Sequence, residues 1–521
     1  MHISVSIFSW PFKISEAEAT VVGKTTVPAT TSRAPSAARR TVFRSRPPPD
    51  AMSTARIAGA KQTPAPRWVA AADAVAPVAS RGNYCTNQKS PDLFREIFDF
   101  RVFMRYISAM AKVYYDYLII GNGIAGVTAA ETIRSRDAIG SIAVLSGEPH
   151  PLYSRVLLPA YLKGRIGRER IFLRTADDYA AKNIDFYPDT QVRAADAARR
   201  EIKTTDNRIF SFGKLLVATG GRVKSWKYDE AASARSYRLQ TIDDADRLLA
   251  DLPHIRQPLV VGSSFIALEF IEIFLQHKIV PRVLAEAPGF FSAFLDEEGS
   301  KILEENFKRH GVSCMFGEKI TGCRGNGTDH EITTAGAGVL CTDAFAIGIG
   351  IERNRDFLAD SSITLGTRGV RVNEYLEADA PGVWAAGDSA EYYDSVSGEY
   401  RTAGNWTHAV LQGTRAGLNM AGDRAAFTHI PSYAITNCGM QIAAIGECGG
   451  TLSIITRRGG AEGEYARLSL HEGAIVGAFL INRFPDRAAL TDLISRRVDV
   501  RAFAHQLRDM AFDIHAIARI T

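Results

Sequence analysis

The chain has 521 residues, 46% of them hydrophobic and 23% charged, which is enough apolar side chain for two or three packed domains. Its formal net charge is +5, but residues 1–112 carry 16 Lys/Arg against 7 Asp/Glu, a net +9, which leaves −4 for the remainder. The mildly acidic body excludes a nucleic-acid-binding surface. A membrane span is also excluded, because the most apolar window, residues 258–280, contains the charged residues Glu269, Glu272 and Lys278.

Cysteine usage indicates a reducing compartment. The six cysteines follow no C-x-x-C or metal-knuckle pattern, so we predict free thiols and no metal site, and a cytoplasmic protein. A bridge or metal site at Cys438 and Cys448 is the less favoured alternative. The six are Cys85, Cys314, Cys323, Cys341, Cys438 and Cys448.

Residues 1–111 are rich in Ala, Ser, Pro and Arg and show no sustained hydrophobic period, so they are expected to be disordered. Three explanations compete for this extension. It resembles an organelle transit segment, which would move the protein to a mitochondrion or another organelle. It could instead be a linker, or an over-extended gene model whose true start is Met110. We favour the last because the folded pattern begins abruptly at Lys112.

A glycine turn between a strand and a helix is the first sign of a nucleotide site. The strand-like run 114–120 is followed by GNGIAG and then by a helical pattern. In such a turn the first glycine permits the bend, the second lets backbone N–H groups approach a pyrophosphate, and the third allows close helix packing. The motif comprises Gly121, Asn122, Gly123, Ile124, Ala125 and Gly126.

The next strand, residues 141–145, is followed by Glu148, which lies 27 residues after Gly121. A carboxylate at this point can accept a hydrogen bond from a ribose hydroxyl. A surface glutamate without a ligand is the alternative. Farther on, residues 215–221 (LLVATGG) form a strand that ends in a turn of small residues.

A second strand, turn and helix begin at Pro258, which predicts a parallel-sheet protein with two nucleotide sites. Here Ser264 replaces the second glycine and Ala267 the third, so either the phosphate lies farther from the backbone or the serine hydroxyl donates to it. Glu286, 24 residues after Gly262, favours the 2′-hydroxyl of NAD, although nearby Arg282 keeps NADP(H) open. The expected nicotinamide-dinucleotide contacts are Gly262, Ser263, Ser264, Phe265, Ile266, Glu286 and Gly348.

Two further motifs follow: IGIG at residues 347–350 and VWAAGD at 383–388. From residue 425 the pattern changes to short alternating runs and a terminal helical stretch, which indicates a separate α+β module.

Taken in order, these motifs resemble the FAD-dependent pyridine nucleotide oxidoreductases over residues 114–515. The resemblance implies an α/β fold with two Rossmann-like domains, the NAD domain inserted into the FAD domain, plus a small C-terminal α+β domain. It places the FAD domain at residues 112–235 and 355–424, the NAD(P) domain at 236–354 and an interface domain at 425–521. In the family that last domain helps to form the dimer or partner interface, so either a homodimer or a contact with an acceptor protein is expected there.

The same resemblance implies roles for individual residues. Asp388, after Gly387, would accept from a ribityl hydroxyl of FAD, and Arg155 would lie beside the FAD phosphates or ribose. The start of a helix at residues 406–409 would direct backbone N–H groups at the flavin pyrimidine. The remaining FAD contacts expected from these motifs are Ala218, Thr219, Gly220, His408 and Ala409, and His408 is alternatively only a helix-start residue.

Residues 113–313 contain no cysteine, so the dithiol, coenzyme A disulfide and cysteine-peroxidase branches of the family do not apply. The chain instead resembles the rubredoxin and ferredoxin reductases, the flavin half of NADH-dependent nitrite reductases, and the apoptosis-inducing-factor group. Several of these pair a lysine with a glutamate near the flavin. Here Glu269 matches that glutamate, but the lysine position is Ala160, and Lys163 is a candidate replacement.

The resemblance therefore implies transfer of hydride from NADH to FAD and of electrons onward to rubredoxin, ferredoxin or a partner redox subunit. Glu269 is the candidate catalytic side chain. Two alternatives stay open: an apoptosis-inducing-factor-like interaction protein with slow NADH oxidation, and a monodehydroascorbate or other small-molecule reductase.

Overall fold

A computed structural model describes residues 112–520, except 233, 234, 326, 396, 450 and 451. The predictions for residues 1–111 and Cys85 lie outside the described residues. Among those described, no helix is both long and apolar enough to cross a bilayer.

The strands are β1 (Lys112–Ile120), β2 (Ile142–Leu145), β3 (Ile184–Tyr187), β4 (Val192–Asp196), β5 (Glu201–Thr204), β6 (Ile209–Val217), β7 (Gly221–Val223), β8 (Ser236–Tyr237), β9 (Pro258–Val261), β10 (Arg282–Ala285), β11 (Ser313–Phe316), β12 (Ile320–Gly325), β13 (His330–Thr334), β14 (Val339–Thr342), β15 (Ala344–Ile347), β16 (Ile351–Arg353), β17 (Val370–Val372), β18 (Val383–Ala385), β19 (Ala390–Asp394), β20 (Glu399–Arg401), β21 (Ser432–Asn437), β22 (Met440–Gly446), β23 (Ser453–Arg457), β24 (Tyr465–His471) and β25 (Ala474–Ile481).

The α-helices are α1 (Ile124–Arg136), α2 (Leu158–Leu162), α3 (Ala176–Ala181), α4 (Asp229–Ala232), α5 (Ile242–Asp251), α6 (Phe265–Gln276), α7 (Glu297–Arg309), α8 (Trp406–Met420), α9 (Arg487–Ser495) and α10 (Ile514–Ile520). Short 3₁₀ turns lie at Arg155–Leu157, Arg168–Ile171, Leu252–His254, Asp356–Leu358, Gly387–Ser389, Phe484–Asp486, Arg501–Phe503 and Gln506–Arg508.

The first sheet has the order β3-β2-β1-β6-β5-β4, and β18 pairs with residues 215–217 at the carboxyl end of β6. Strands β1, β2, β3, β6 and β18 run parallel, whereas β4 and β5 pair antiparallel at one edge. Residues 117–120 of β1 are all buried, as expected for a parallel strand covered on both faces. Helices α1 and α8 pack together against this sheet, so the carboxyl end of β1 opens directly onto two helix starts.

The second sheet is fully parallel, with the order β11-β10-β9-β15-β8. The chain leaves the first sheet after β6, completes the second, and returns to the first at β18, so one α/β unit is inserted into the other. This topology confirms the predicted fold class. The antiparallel sheet β12-β13-β14 and the antiparallel pair β7-β16 accompany the inserted unit.

The C-terminal module is an antiparallel sheet with the order β21-β22-β25-β24-β23, packed against helix α9. A smaller sheet, β17-β19-β20, lies near β18 in sequence. Helix α6 contacts both the second sheet and strand β21. Because α6 is covered on two sides, it is apolar around most of its circumference, with Leu268, Phe270, Ile271, Ile273 and Phe274 fully buried.

Candidate functional site

The first glycine turn is shaped by close backbone approaches. Gly121 has φ +114°, and a Cβ there would lie 2.2 Å from the carbonyl oxygen of Ala218. A Cβ at Gly126 would lie 2.0 Å from the carbonyl oxygen of Gly121, so the helix can pack this closely only without a side chain. Gly123 faces open space, and no side chain caps α1. The first N–H groups of α1 therefore remain available to an anion.

The turn opens into a cavity of about 1040 Å³ that collects most of the predicted site residues. The predicted residues that line it are Gly121, Asn122, Gly123, Ile124, Ala125, Glu148, Arg155, Ala218, Thr219, Gly220, Ile266, Glu269, Gly348, Gly387, Asp388 and Ala409. The predicted residues outside the lining are Gly126, His408, Gly262, Ser263, Ser264, Phe265 and Glu286.

Asn122 is held in place by two hydrogen bonds. Its amide Nδ2 donates to the carbonyl of His150 at 3.1 Å, and Tyr179 donates its hydroxyl to Asn122 Oδ1 at 2.6 Å. The side chain therefore fixes the turn to the segment after β2, and its contribution to a ligand site is through the backbone.

Glu148 and Arg155 form an ion pair on the cavity wall. One guanidinium nitrogen of Arg155 donates to Glu148 Oε1 at 2.5 Å, and Tyr153 donates its hydroxyl to Glu148 Oε2 at 2.6 Å. Arg155 also donates to the carbonyl of Gln240. The sequence predicts Glu148 and Arg155 as separate ligand contacts. The structure joins them into an ion pair that faces the cavity.

Asp388 is a half-buried carboxylate on the cavity wall. Burial raises the pKa of its carboxyl, and the positive charges of Arg353 and Arg155 offset this only in part. The preceding residue, Gly387, donates its N–H to Gln412 Oε1 at 2.8 Å, and Arg353 Nε donates to the Asp388 carbonyl at 2.8 Å. A desolvated carboxylate that faces a cavity is stabilised by a hydroxyl donor, which fits the ribityl contact that the resemblance implies.

Helix α8 begins at the cavity, where Trp406 and Ala409 contribute to the wall. Asn405 caps it by accepting from the His408 N–H at 2.8 Å. The His408 ring points away from the cavity and is fully buried against Tyr392 and Phe427, with ring centroids 5.1 Å away in each case. The side chain of His408 is therefore a packing residue on the buried face of α8, as in the helix-start alternative, and a contact through the backbone N–H groups of this helix start stays a prediction.

Burial among these rings, together with the neighbouring His429, lowers the pKa of His408 to about 3. Neither of its ring nitrogens has a hydrogen-bond partner among the described residues. The imidazole is consequently neutral near pH 7.

The second glycine turn repeats the first with two changes. Gly262 has φ +120°, and a Cβ there would lie 2.4 Å from the carbonyl oxygen of Gly348. Ser264 donates its hydroxyl to that same carbonyl at 2.9 Å. Because the hydroxyl has a backbone acceptor within reach, this contact favours the alternative in which the phosphate lies farther from the backbone. Ala267 fits because the facing residue, Gly348, has no side chain.

Ser263 and Phe265 support the second turn from outside the cavity. The carbonyl of Ser263 accepts from the Phe291 N–H at 3.2 Å. The Phe265 ring packs against Phe291 and Tyr433, with centroid distances of 4.5 and 4.3 Å. The structure places both residues in positions that shape the turn.

Glu286 lies just after β10 and is exposed. Arg282, the residue that kept NADP(H) open, donates to the carbonyl of Cys341. Its guanidinium thus contacts the backbone of β14, whereas the Glu286 carboxylate is exposed.

Glu269 projects from α6 into the cavity and is paired as the sequence analysis suggested. Lys163 Nζ donates to Glu269 Oε2 at 3.0 Å and to Glu272 Oε2 at 2.6 Å, and Arg165 donates to Glu272 Oε1 at 3.1 Å. Lys163 is only 5% exposed. Burial raises the pKa of Glu269, and Lys163 opposes that shift. The lysine missing at Ala160 is therefore supplied three residues later, after α2.

Sequence reasoning missed the contribution of the C-terminal module. Tyr433, Ala434 and Ile435 of β21 line the cavity beside Glu269. These residues lie more than 160 positions after Glu269, and no glycine or charge motif marks them. The described cysteines, by contrast, contribute nothing to the lining, and burial raises the pKa of both Cys314 and Cys438 to about 12.

Comparisons with known proteins agree with this geometry. Residues 115–413 match the family model of the pyridine nucleotide-disulphide oxidoreductases. The NADH-dependent phenylglyoxylate dehydrogenase subunit epsilon of Aromatoleum evansii is 26% identical over 392 residues, covering 74% of this chain and 92% of that protein. Putidaredoxin reductase CamA of Pseudomonas putida is 25% identical over 396 residues, covering 74% and 92%.

Solved structures show the same fold. Putidaredoxin reductase in a covalent complex with putidaredoxin has a TM-score of 0.72 at 22% identity, covering 78% of this chain and 98% of that chain. NADH:rubredoxin oxidoreductase from Clostridium acetobutylicum has a TM-score of 0.63 at 20% identity, covering 78% and 100%. The matching family model spans both glycine turns, the ATGG run and the AAGD turn, and the chain belongs to the pyridine nucleotide-disulphide oxidoreductase family.

Proposed function

We propose that the protein is an FAD-dependent NADH oxidoreductase that passes electrons to an external acceptor, such as a ferredoxin, a rubredoxin or a partner redox subunit. One observation carries this proposal: a single cavity is lined by the first glycine turn on one side and by Ile266, Glu269 and Gly348 of the inserted unit on the other. Two ligands bound at the two turns would meet inside that cavity.

The first side of the cavity suits FAD. The open start of α1 would bind the pyrophosphate, and Asp388 would accept from the ribityl chain. The N–H groups at the start of α8 would face the electron-poor end of the flavin. When bound, FAD supplies a ring that accepts hydride from a nicotinamide and releases electrons one or two at a time.

The second side suits NADH rather than NADPH. The exposed Glu286 carboxylate, just after β10, would accept from a 2′-hydroxyl of the adenosine ribose and would repel a 2′-phosphate. Arg282 is directed to the Cys341 carbonyl instead. Glu269, paired with Lys163, lies on the wall where the two rings would meet.

The acceptor is proposed to be external because none of the described cysteines lines the cavity and residues 113–313 contain none. The names of the relatives support this view: one is a subunit of a dehydrogenase, and another reduces putidaredoxin. The role of the protein is to orient two rings and exclude water between them.

The proposal is tested by reconstituting the purified protein with FAD and mixing it anaerobically with NADH or NADPH. We expect bleaching of the flavin absorbance by NADH, then reoxidation by ferredoxin or rubredoxin faster than by oxygen. Slow reoxidation by every protein acceptor, with a long-lived charge-transfer band, would instead favour the interaction-protein alternative. Fast turnover with a small quinone or ascorbate radical alone would favour a small-molecule reductase.

A further inference from the structure

Strand β21 of the C-terminal module packs against helix α6 and is joined to it by hydrogen bonds. Asn437 is fully buried, and its amide Nδ2 donates to the carbonyl of Leu268 at 3.0 Å and to Glu272 Oε2 at 3.2 Å. Because side chains alternate along a strand, Tyr433, Ile435 and Asn437 share one face of β21. The strand therefore brings Tyr433 to the same end of α6 that carries Glu269.

Ring packing sets the position of Tyr433. Its ring lies edge-on to Phe265 at a centroid distance of 4.3 Å. Phe265 and Glu269 are four residues apart on α6, so their side chains are neighbours on one helix face. Tyr433 and Glu269 both line the cavity, which places a phenol beside a carboxylate on one wall.

Both groups have hydrogen-bonding capacity left over. Lys163 contacts Glu269 through Oε2, which leaves Oε1 free to accept. In the part of the chain that the structure describes, no residue hydrogen-bonds the Tyr433 hydroxyl. Burial and the neighbouring Glu269 carboxylate raise the pKa of Tyr433, so the phenol keeps its proton and acts as a donor.

A fixed O–H donor beside a fixed carboxylate acceptor matches a primary carboxamide, whose carbonyl accepts while its NH₂ donates. In a nicotinamide dinucleotide, that group occurs only on the nicotinamide ring. We propose that Tyr433, supplied by the C-terminal module, is a positioning residue that binds the nicotinamide carboxamide together with Glu269 Oε1. This inference rests on the proposed function and adds a contact from a module outside the two nucleotide domains.

The test compares two ligands that differ in the nicotinamide end. The FAD-loaded protein is titrated by calorimetry with tetrahydro-NADH, which cannot transfer hydride, and with ADP-ribose, which lacks the ring. Tyr433→Phe should weaken tetrahydro-NADH binding about threefold to tenfold, the loss of one hydrogen bond, and leave ADP-ribose binding unchanged. Tyr161→Phe is the matched control, because Tyr161 donates to Asp246 outside the cavity.

A second analogue distinguishes the Tyr433 contact with the carbonyl from the Glu269 contact with the NH₂ group. The 3-acetylpyridine dinucleotide keeps the carbonyl but lacks the NH₂, so Tyr433→Phe should weaken its binding by the same factor. Thermal unfolding of the variant should match that of the unmodified protein. An equal loss for ADP-ribose, or no loss for tetrahydro-NADH, would overturn the assignment while leaving the proposed function intact. Failure of the unmodified protein to bind either ligand would overturn both.

Discussion

The two glycine turns occupy corresponding points of the two sheets, each at the carboxyl end of a parallel strand, but their surroundings differ. At the first, Gly121 and Gly126 are both required by backbone contacts, and the acid that follows, Glu148, is held by Arg155 and Tyr153. At the second, a serine and an alanine replace two of the glycines. The acid that follows, Glu286, is exposed.

This difference fits two ligands with different residence times. A site whose charges are already arranged and partly desolvated loses little entropy on binding and holds its ligand tightly. A site with an exposed carboxylate and an open edge binds more weakly and lets its ligand exchange. We infer that the first turn holds a resident cofactor and the second a substrate that must leave after each cycle.

The largest effect is expected at the first turn. Gly121→Ala adds a Cβ 2.2 Å from the Ala218 carbonyl oxygen at a backbone conformation that alanine disfavours, so the turn must open. We expect the purified variant to contain almost no FAD, measured as flavin absorbance per mole of protein. Gly439→Ala is the control, because Gly439 has φ +80° but no neighbour within 4 Å of an added Cβ. Normal flavin content in Gly121→Ala would contradict the assignment of the two turns.

The next effect concerns Lys163, which joins the segment after α2 to helix α6 of the inserted unit. Lys163→Met leaves Glu269 without its cation and Glu272 with only Arg165, so the free energy of unfolding should fall by about 3–5 kcal/mol. Denaturant titration measures this change. Lys182→Met is the control, since Glu131 keeps Arg174 when Lys182 is removed. Adding Glu269→Gln to Lys163→Met should restore part of the loss, and a further loss would argue against a buried ion pair.

Much of this arrangement can be predicted from sequence, because backbone sterics act locally. The two glycine turns, their order and the later AAGD turn each depend on a few adjacent residues. The pairing of Lys163 with Glu269 was also within reach, since a missing lysine leaves a carboxylate that needs a nearby cation. Glu148 and Arg155 could be placed at the cavity, although not as a pair.

The rest depends on packing between distant segments. The local sequence does not say which face of α8 carries the His408 side chain. Packing of its ring against Tyr392 and Phe427 determines that face. The Ser264 hydroxyl donates to the carbonyl of Gly348, which follows the distant strand β15. Tyr433 reaches the cavity because β21 docks on α6, and no local pattern predicts that contact.

The pH dependence of stability tests the packing behind the first site. The pKa of His408 is about 3 in the folded protein, against an ordinary histidine value of 6.5, so the unfolded chain takes up the proton first. This contribution is complete above pH 6.5 and is lost as the pH falls toward 3. On acidification from pH 7 to pH 5, the free energy of unfolding lost through His408 should amount to about 2 kcal/mol.

Urea unfolding at the two pH values, with FAD saturating, measures the contribution of His408. His408→Phe should reduce the loss of stability on acidification, whereas replacing the exposed His471 by Phe should not. If both variants lost as much stability as the unmodified protein, the ring would not be buried as a neutral base.

The smallest effect is expected at the exposed acid of the second turn. Glu286→Gln removes the charge that repels a 2′-phosphate and weakens the acceptor for a 2′-hydroxyl, so the preference for NADH over NADPH should fall roughly tenfold. The ratio of kcat/KM for the two dinucleotides measures this change. Glu305→Gln, on the exposed face of α7, is the control. Flavin content should be normal in both variants, because a loss of FAD from Glu286→Gln would mean that the two turns do not serve separate ligands.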